Sequence, residues 1–196
     1  MTKTIDFYFA VISSYAYLAA PRLGEIAQRT GASINFKPVN IGKVFESSET
    51  TPPAKQSDAR KAYRAVDQAR IAKAHDLPIN LKPAFWPVPM ELPSGMVIAI
   101  QNDSGEPMAL TQALLSAIWA EDKNIADEET LIELATSCGY DGGDLLTQAK
   151  SDAIQAVLEA NTAEAIEKGV FGSPTFIVDG ELFWGQDRLD YVEAAL

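Results

Sequence analysis

Residues 5–16 read I-D-F-Y-F-A-V-I-S-S-Y-A, and their reading decides the fold. Aromatic and β-branched side chains fill Ile5 to Ile12 too densely for an exposed edge, so the run is expected as a buried strand. Ser13-Ser14 breaks it. Apolar positions then recur at helical spacing through Tyr15, Leu18, Ala19, Leu23 and Ile26, up to Gly31, a residue suited to ending a helix. Pro21 lies inside that helix and is expected to kink it, because it removes an amide donor. Ile34 to Val39 returns as a second strand, so residues 5–39 form a βαβ unit with a parallel strand pair.

Working outward, Glu46–Pro53 reads as a loop and Gln56 to His75 as a polar helix. Pro83, Pro87, Pro89 and Pro93 exclude regular structure over 80–94. Helical spacing resumes over 95–102, 107–121, 127–138 and 141–168, with a break near Ser151. Near the end the period falls to two. Ser173-Pro174 leads into Thr175–Val178, Asp179-Gly180 is a hairpin turn, Glu181–Trp184 comes back as a strand, and Arg188–Ala195 closes as a helix. No internal repeat or low-complexity tract interrupts this order.

The chain has 196 residues and a formal net charge of −11, with 47% hydrophobic residues. That is enough for a sizeable core, and the acidic balance argues against nucleic acid as a partner. No apolar run approaches the roughly 20 residues that cross a bilayer, and the N-terminus lacks a cleavable signal, so no membrane partner and a cytoplasmic location are expected. One cysteine, Cys138, forbids an internal disulfide and a C-x-x-C pair; one histidine, His75, excludes His-rich metal sites, and no metal ligand set is expected. Both read as bland residues, a small packed thiol and a helix-end imidazole. The charge is unevenly spread: residues 1–82 sum to +5 and residues 83–196 to −16.

A βαβ unit and a ββα unit, with a proline entering the third strand, resemble the thioredoxin plan. The helical block of more than 100 residues between them resembles the DsbA-like branch of that α/β fold. The expected division is 1–45 for the βαβ part, 46–168 for the inserted all-helical domain and 169–196 for the ββα part. Redox members begin the first helix with Cys-x-x-Cys. Here those positions are Ser13-Ser14-Tyr15-Ala16, and disulfide exchange needs an attacking thiolate, so it is excluded there. A serine hydroxyl at a helix start has two compatible uses. It caps the helix, or it donates to a bound thiolate that the helix N-terminus also favours.

The run F-Y-F-A-V-I-S-S-Y-A-Y-L-A resembles the opening of the 2-hydroxychromene-2-carboxylate isomerases and the related kappa-class glutathione transferases. Tyr63, Asp67, Arg70 and Pro78 match a Y-x-x-x-D-x-x-R…P pattern of that group, and V-F-G-S-P-T-F-I-V-D-G-E-L-F-W-G-Q-D-R-L matches its closing block. The resemblance spans essentially the whole chain. It implies a glutathione-dependent isomerase, with glutathione as the cofactor, a small anionic aromatic substrate and a homodimer. Ser13 falls on the serine that activates glutathione. Pro174 falls on a cis-proline that turns the Ser173 backbone toward the cysteinyl part, the alternative being an ordinary strand-entry proline. Gln186 and Asp187 fall where the γ-glutamyl end is held, unless Asp187 only caps the last helix. Thr50 stands where relatives carry a glutathione-touching asparagine.

Ala10, Ser14 and Ala16 depart from the pattern, where it has aspartate, proline and a second serine. Ser14 thereby becomes a second hydroxyl that could face the site. For the substrate cleft the resemblance offers Phe85 and Trp86, with Trp184 just before the final turn. A basic island over Lys55–Lys73 supplies a field for anions. Arg70 is its leading candidate, against a salt bridge to Asp67, and Lys43, in the loop after the second strand, is a second candidate outside the island. Two other readings stand beside the isomerase: a transferase or thiol-dependent reductase that consumes glutathione, and a non-catalytic thioredoxin-like binding protein.

Overall fold

The computed structural model describes residues 2–196. Strand β1 (Thr4–Phe9) is followed by helix α1 (Ser14–Thr30) and strand β2 (Ser33–Pro38). The middle of the chain is helical: α2 (Ile41–Ser47), α3 (Asp58–Ala74), α4 (Glu91–Asn102), α5 (Met108–Trp119), α6 (Glu128–Ser137), α7 (Gly142–Ala149) and α8 (Asp152–Glu167). The chain then closes with β3 (Thr175–Val178), β4 (Glu181–Trp184) and α9 (Leu189–Ala194).

The sheet order is β2-β1-β3-β4. β1 and β2 run parallel, with Phe7 opposite Phe36, while β3 is antiparallel to β1, with Phe176 opposite Phe7. Alternation therefore sends Phe7, Phe9, Phe36 and Phe176 to one face. Phe7 stacks on Phe9 at 4.3 Å and on Phe176 at 5.4 Å, and Phe36 meets Phe7 edge-on at 6.0 Å. The buried face of α1 packs here, and the same core continues without a gap into α4 and α5. Tyr8 and Ile177 point to the other face, where Val39, Val44, Ala165 and Val170 cover them. β2 is an edge strand, and Gln101 at the end of α4 covers it: its side chain accepts from the Phe36 amide at 2.6 Å and donates to the Phe36 carbonyl at 3.1 Å.

Several expected boundaries move. β1 stops at Phe9, because Ala10–Ser13 turn tightly, with the Ser13 amide donating to the Ala10 carbonyl at 2.9 Å. α1 runs unbroken through Pro21 and ends on Gly31, whose φ of 73° suits a residue without a side chain. The expected loop 46–53 begins inside α2, which Asn40 starts by accepting from the amides of Gly42 and Lys43. The proline-rich stretch 80–94 is irregular only to Met90; Pro93 sits in the first turn of α4, where its missing amide costs no bond.

The charge asymmetry is partly spent in tertiary pairs. Lys3, Arg22, Arg29, Lys37 and Lys43 from the first part of the chain meet Asp179, Asp190, Glu193, Glu164 and Glu159 from the second.

Candidate active site

Ser13 precedes α1 with extended backbone, and its Oγ accepts from the Ala16 amide at 3.2 Å. The same hydroxyl donates to the Ser173 carbonyl at 3.2 Å, and the Ser173 hydroxyl accepts from the Ala10 amide at 2.9 Å. These bonds join the opening βαβ unit to the closing ββα unit at one point. Ser173–Pro174 is a cis peptide, Thr175 Oγ1 donates to the Gly172 carbonyl at 2.8 Å, and the Gly185 amide donates to the Pro174 carbonyl at 3.0 Å. Ser173 is thus held by both flanks.

Beside Ser13 and Ser173 lies a cavity of about 270 Å³. Ala10, Ile12, Tyr15, Phe45, Pro52, Trp86 and Met90 make its walls largely apolar, and Arg64 supplies its charge. Trp86 is fixed by donating from Nε1 to the Ile12 carbonyl at 3.0 Å, and by tilting against Trp119 at 5.7 Å. A second cis peptide, Trp86–Pro87, shapes this wall and was not foreseen from sequence. A larger surface hollow, about 860 Å³, lies at the opposite end of β1. Its charges are already paired, Lys3 with Asp179 at 2.9 Å and Lys168 with Asp6 at 3.2 Å, so it offers less chemistry than the Ser13 cavity.

The two serines separate cleanly. Ser14 has no exposed surface and accepts from Arg64 Nη2 at 2.9 Å and from Gln68 Nε2 at 2.7 Å. It therefore does not compete with Ser13 for the cavity; one residue of helix turns it about 100° away. The cationic candidates also change. Lys43 pairs with Glu159 on the far side of α2, and Arg70 is 63% exposed and 3.7 Å from Asp67, so neither lines the cavity. Arg64 takes their place, with its guanidinium 4.9 Å over the Tyr15 ring. Burial lowers its pKa from the usual arginine value, and the neighbouring Tyr15 phenol only partly opposes this. The sequence contained a signal for it: Lys61, Arg64, Ala65 and Gln68 recur at helical spacing on one face of α3.

The matched α3 pattern serves α1. Tyr15 donates to Asp67 Oδ2 at 3.0 Å, and Tyr17 donates to the Pro78 carbonyl at 2.5 Å. Burial first, and then the bond to Asp67, push the Tyr15 phenol up to about 12. Tyr63 is exposed and borders, with Arg60, Arg64 and Trp184, a further hollow of about 520 Å³.

Of the remaining expected residues, Gln186 is buried and its carbonyl accepts from Arg22 at 3.2 Å. Asp187 is paired with Arg188 at 2.8 Å. Thr50 donates to the Phe171 carbonyl at 3.3 Å, near Ser173 but outside the cavity lining. Phe85 is exposed and lies outside the cavity; Trp184 is half exposed and rests 4.8 Å from Phe171. Among the described residues, no group of three or more His, Cys, Asp or Glu side chains could hold a metal, and no helix is long and apolar enough to cross a membrane.

Residues 4–196 match the family described as DSBA-like thioredoxin domain. A 2-hydroxychromene-2-carboxylate isomerase of Sphingobium xenophagum is 32% identical over 197 residues, covering 100% of this chain and 99% of that protein. Glutathione S-transferase kappa 1 of Caenorhabditis elegans is 26% identical, with 96% and 88% of the two chains covered. A solved 2-hydroxychromene-2-carboxylate isomerase superposes with a TM-score of 0.82 at 25% identity, covering 98% of this chain and 93% of that one.

Proposed function

The chain belongs to the DSBA-like thioredoxin family, and we propose that within it this protein is a glutathione-dependent isomerase of 2-hydroxychromene-2-carboxylate-like aromatic degradation intermediates, interconverting them with trans-o-hydroxybenzylidenepyruvate-type products. The observation that carries this reading is the Ser13 hydroxyl at the start of α1, facing the Ser173 carbonyl across the edge of an apolar cavity. A site of this kind suits a thiol ligand and lacks a sulfur of its own.

Three features support glutathione there. The Ser14 and Tyr15 amides stand in the first turn of α1, where no intrahelical acceptor exists, and so favour negative charge. The Ser173 amide has no acceptor among the described residues, and Ser173 precedes β3 in a form that an extended peptide can pair with. Gln186 and Asp187 sit at the start of the closing turn, within the ββα unit that also carries Ser173. In this reading Ser173 and Pro174 align the cysteinyl part, Asp187 pairs with the ammonium end, and Thr50 braces the loop opposite. When bound, glutathione supplies a nucleophilic thiolate that can add reversibly to a conjugated carbon.

The chain's own residues do the rest. Ser13 Oγ–H gives up the Ser173 carbonyl and donates to the sulfur, holding it as thiolate at neutral pH. Ile12, Phe45, Trp86 and Met90 exclude water, which strengthens that bond. Tyr15, kept neutral by its high pKa, is a fixed hydrogen-bond donor to Asp67 and holds the wall in place.

Calorimetric titration with glutathione, followed by ultraviolet titration of the bound thiol, tests this. Wild type should bind glutathione and lower its thiol pKa below the ordinary ~8.5. Ser13→Ala should bind it with the thiol pKa restored. Absence of binding at millimolar glutathione refutes the reading. Stoichiometric loss of thiol during turnover would instead favour the transferase or reductase reading, which the similarity to a kappa-class transferase keeps in play.

A further inference from the structure

The turn that carries Asp187 is pinned at both ends. Where it begins, the Gly185 amide donates to the Pro174 carbonyl at 3.0 Å. Gly185 has a φ of 111°, and a Cβ there would stand 2.6 Å from Asp187 Oδ1, so the Asp187 carboxylate folds back over the glycine that is tied to Pro174. Where the turn ends, Arg22 of α1 holds it. Its Nη1 donates to the Gln186 carbonyl at 3.2 Å and lies 3.5 Å from Gln186 Oε1, while Nη2 pairs with Asp190 Oδ1 at 3.2 Å. These acceptors flank Asp187 on both sides in sequence. Gln186 is buried and Asp190 exposed, so the contact to Gln186 is the better protected of the two.

Asp187 has no comparable anchor of its own. Its carboxylate is more than half exposed and pairs with Arg188, its neighbour in sequence. A surface pair of this kind contributes little and can be exchanged for another cation. Asp187 is therefore placed by its backbone, and Pro174 and Arg22 fix that backbone. Ser13 caps the same helix that bears Arg22, about 13.5 Å further along it at 1.5 Å per residue. One rigid helix so sets the separation between the hydroxyl at its start and the turn around Asp187.

We propose that Arg22 is a positioning residue that makes the site select a γ-glutamyl thiol. Through the Gln186 carbonyl and Asp190 it holds the turn in the form in which Asp187 meets the ligand's ammonium group. This rests on the glutathione reading given under the proposed function. Arg22 lies outside the lining of the Ser13 cavity, so it acts through the turn and not on the thiol.

The test is a double-mutant cycle read by calorimetric titration of glutathione into the wild type, Arg22→Met, Asp187→Ala and the double variant. Arg22→Met should weaken glutathione binding about fivefold or more, the scale of one displaced charge-assisted bond. In the Asp187→Ala background the same substitution should cost less than about twofold, because the group it positions is gone. Arg22→Lys should recover part of the loss. Cysteinylglycine, which keeps the thiol and lacks the γ-glutamyl group, should bind wild type and Arg22→Met alike, and the thiol pKa of bound glutathione should be the same in both. If Arg22→Met fails to fold, Arg22→Lys carries the same cycle with a smaller loss. Unchanged glutathione affinity in Arg22→Met, losses that simply add in the double variant, or an equal loss for cysteinylglycine overturns the assignment and leaves the proposed function standing. A wild type that binds no glutathione overturns both.

Discussion

Glu164 offers a prediction whose size follows from the structure. On α8 its carboxylate accepts from Tyr8 OH at 2.9 Å and pairs with Lys37 at 2.5 Å and Lys168 at 2.7 Å. It so ties the last inserted helix to β1 and β2, the strands behind the Ser13 turn. Burial alone would raise its pKa, but hydrogen bonds from Lys168, Lys37 and Tyr8 outweigh burial and bring it from 4.5 down to about 2. A depressed carboxylate stabilises the fold above its unfolded pKa and loses that contribution as pH falls toward the folded value. At about 1.36 kcal/mol per pH unit, the ceiling is about 3.4 kcal/mol. The side chain is 32% exposed and Lys168 38%, so solvent screening reduces this to about 1–2 kcal/mol. Glu164→Gln should therefore lower stability by about 1–2 kcal/mol at pH 7, or about 3–6 °C in Tm for a chain of this length. Urea unfolding of both proteins at pH 7, 5 and 3 reads it. The gap should persist from pH 7 to 5 and shrink at pH 3. A gap below about 0.5 kcal/mol at pH 7, or one unchanged at pH 3, refutes the reasoning.

Three further outcomes are expected. Ser14→Ala removes the acceptor of Arg64 and Gln68 and should cost about 1–3 kcal/mol, measured by urea unfolding; a neutral result would mean that both donors find other partners. Gly172→Ala places a Cβ 2.3 Å from Trp184 Nε1, so the indole should leave Phe171, seen as a shift in tryptophan emission and weaker glutathione binding; an unchanged spectrum would show that the loop yields instead. Tyr15 should remain protonated up to its pKa of about 12, so the alkaline difference spectra of wild type and Tyr15→Phe should coincide through pH values near an ordinary phenol's ~10 and part only above them.

Much of the fold was legible because local signals agreed with one another. The dense apolar run at Ile5 to Phe9, the Ser13 cap, Gly31 as terminator, and Asp179-Gly180 between two short strands each have a local physical cause. The candidate site was legible wherever a residue's position along the chain fixes its place in the fold. Ser13 must stand at the start of α1, and Ser173 must enter β3 beside it. Orientation on a helix was less accessible. Arg64 and Arg70 lie six residues apart, hence about 120° apart around α3, and sequence similarity favoured the one that points to solvent. Lys43 looked like a loop cation, yet Asn40 nucleates a helix that carries it to Glu159.

By itself, then, the sequence determined the order of the four strands and of the longer helices, the helix start bearing a hydroxyl in place of sulfur, and the proline that enters the third strand. Period, caps and turns are properties of neighbouring residues, and a chain cannot hide them. Only the tertiary structure decided which cation faces the cavity, that Ser14 turns inward to accept from Arg64 and Gln68, and how the basic first part of the chain is compensated. Those outcomes depend on groups 50 residues apart, as with Arg64 and Ser14, or more than 100 apart, as with Lys37 and Glu164. Their energies come from burial and from distance in space, neither of which has a counterpart along the chain.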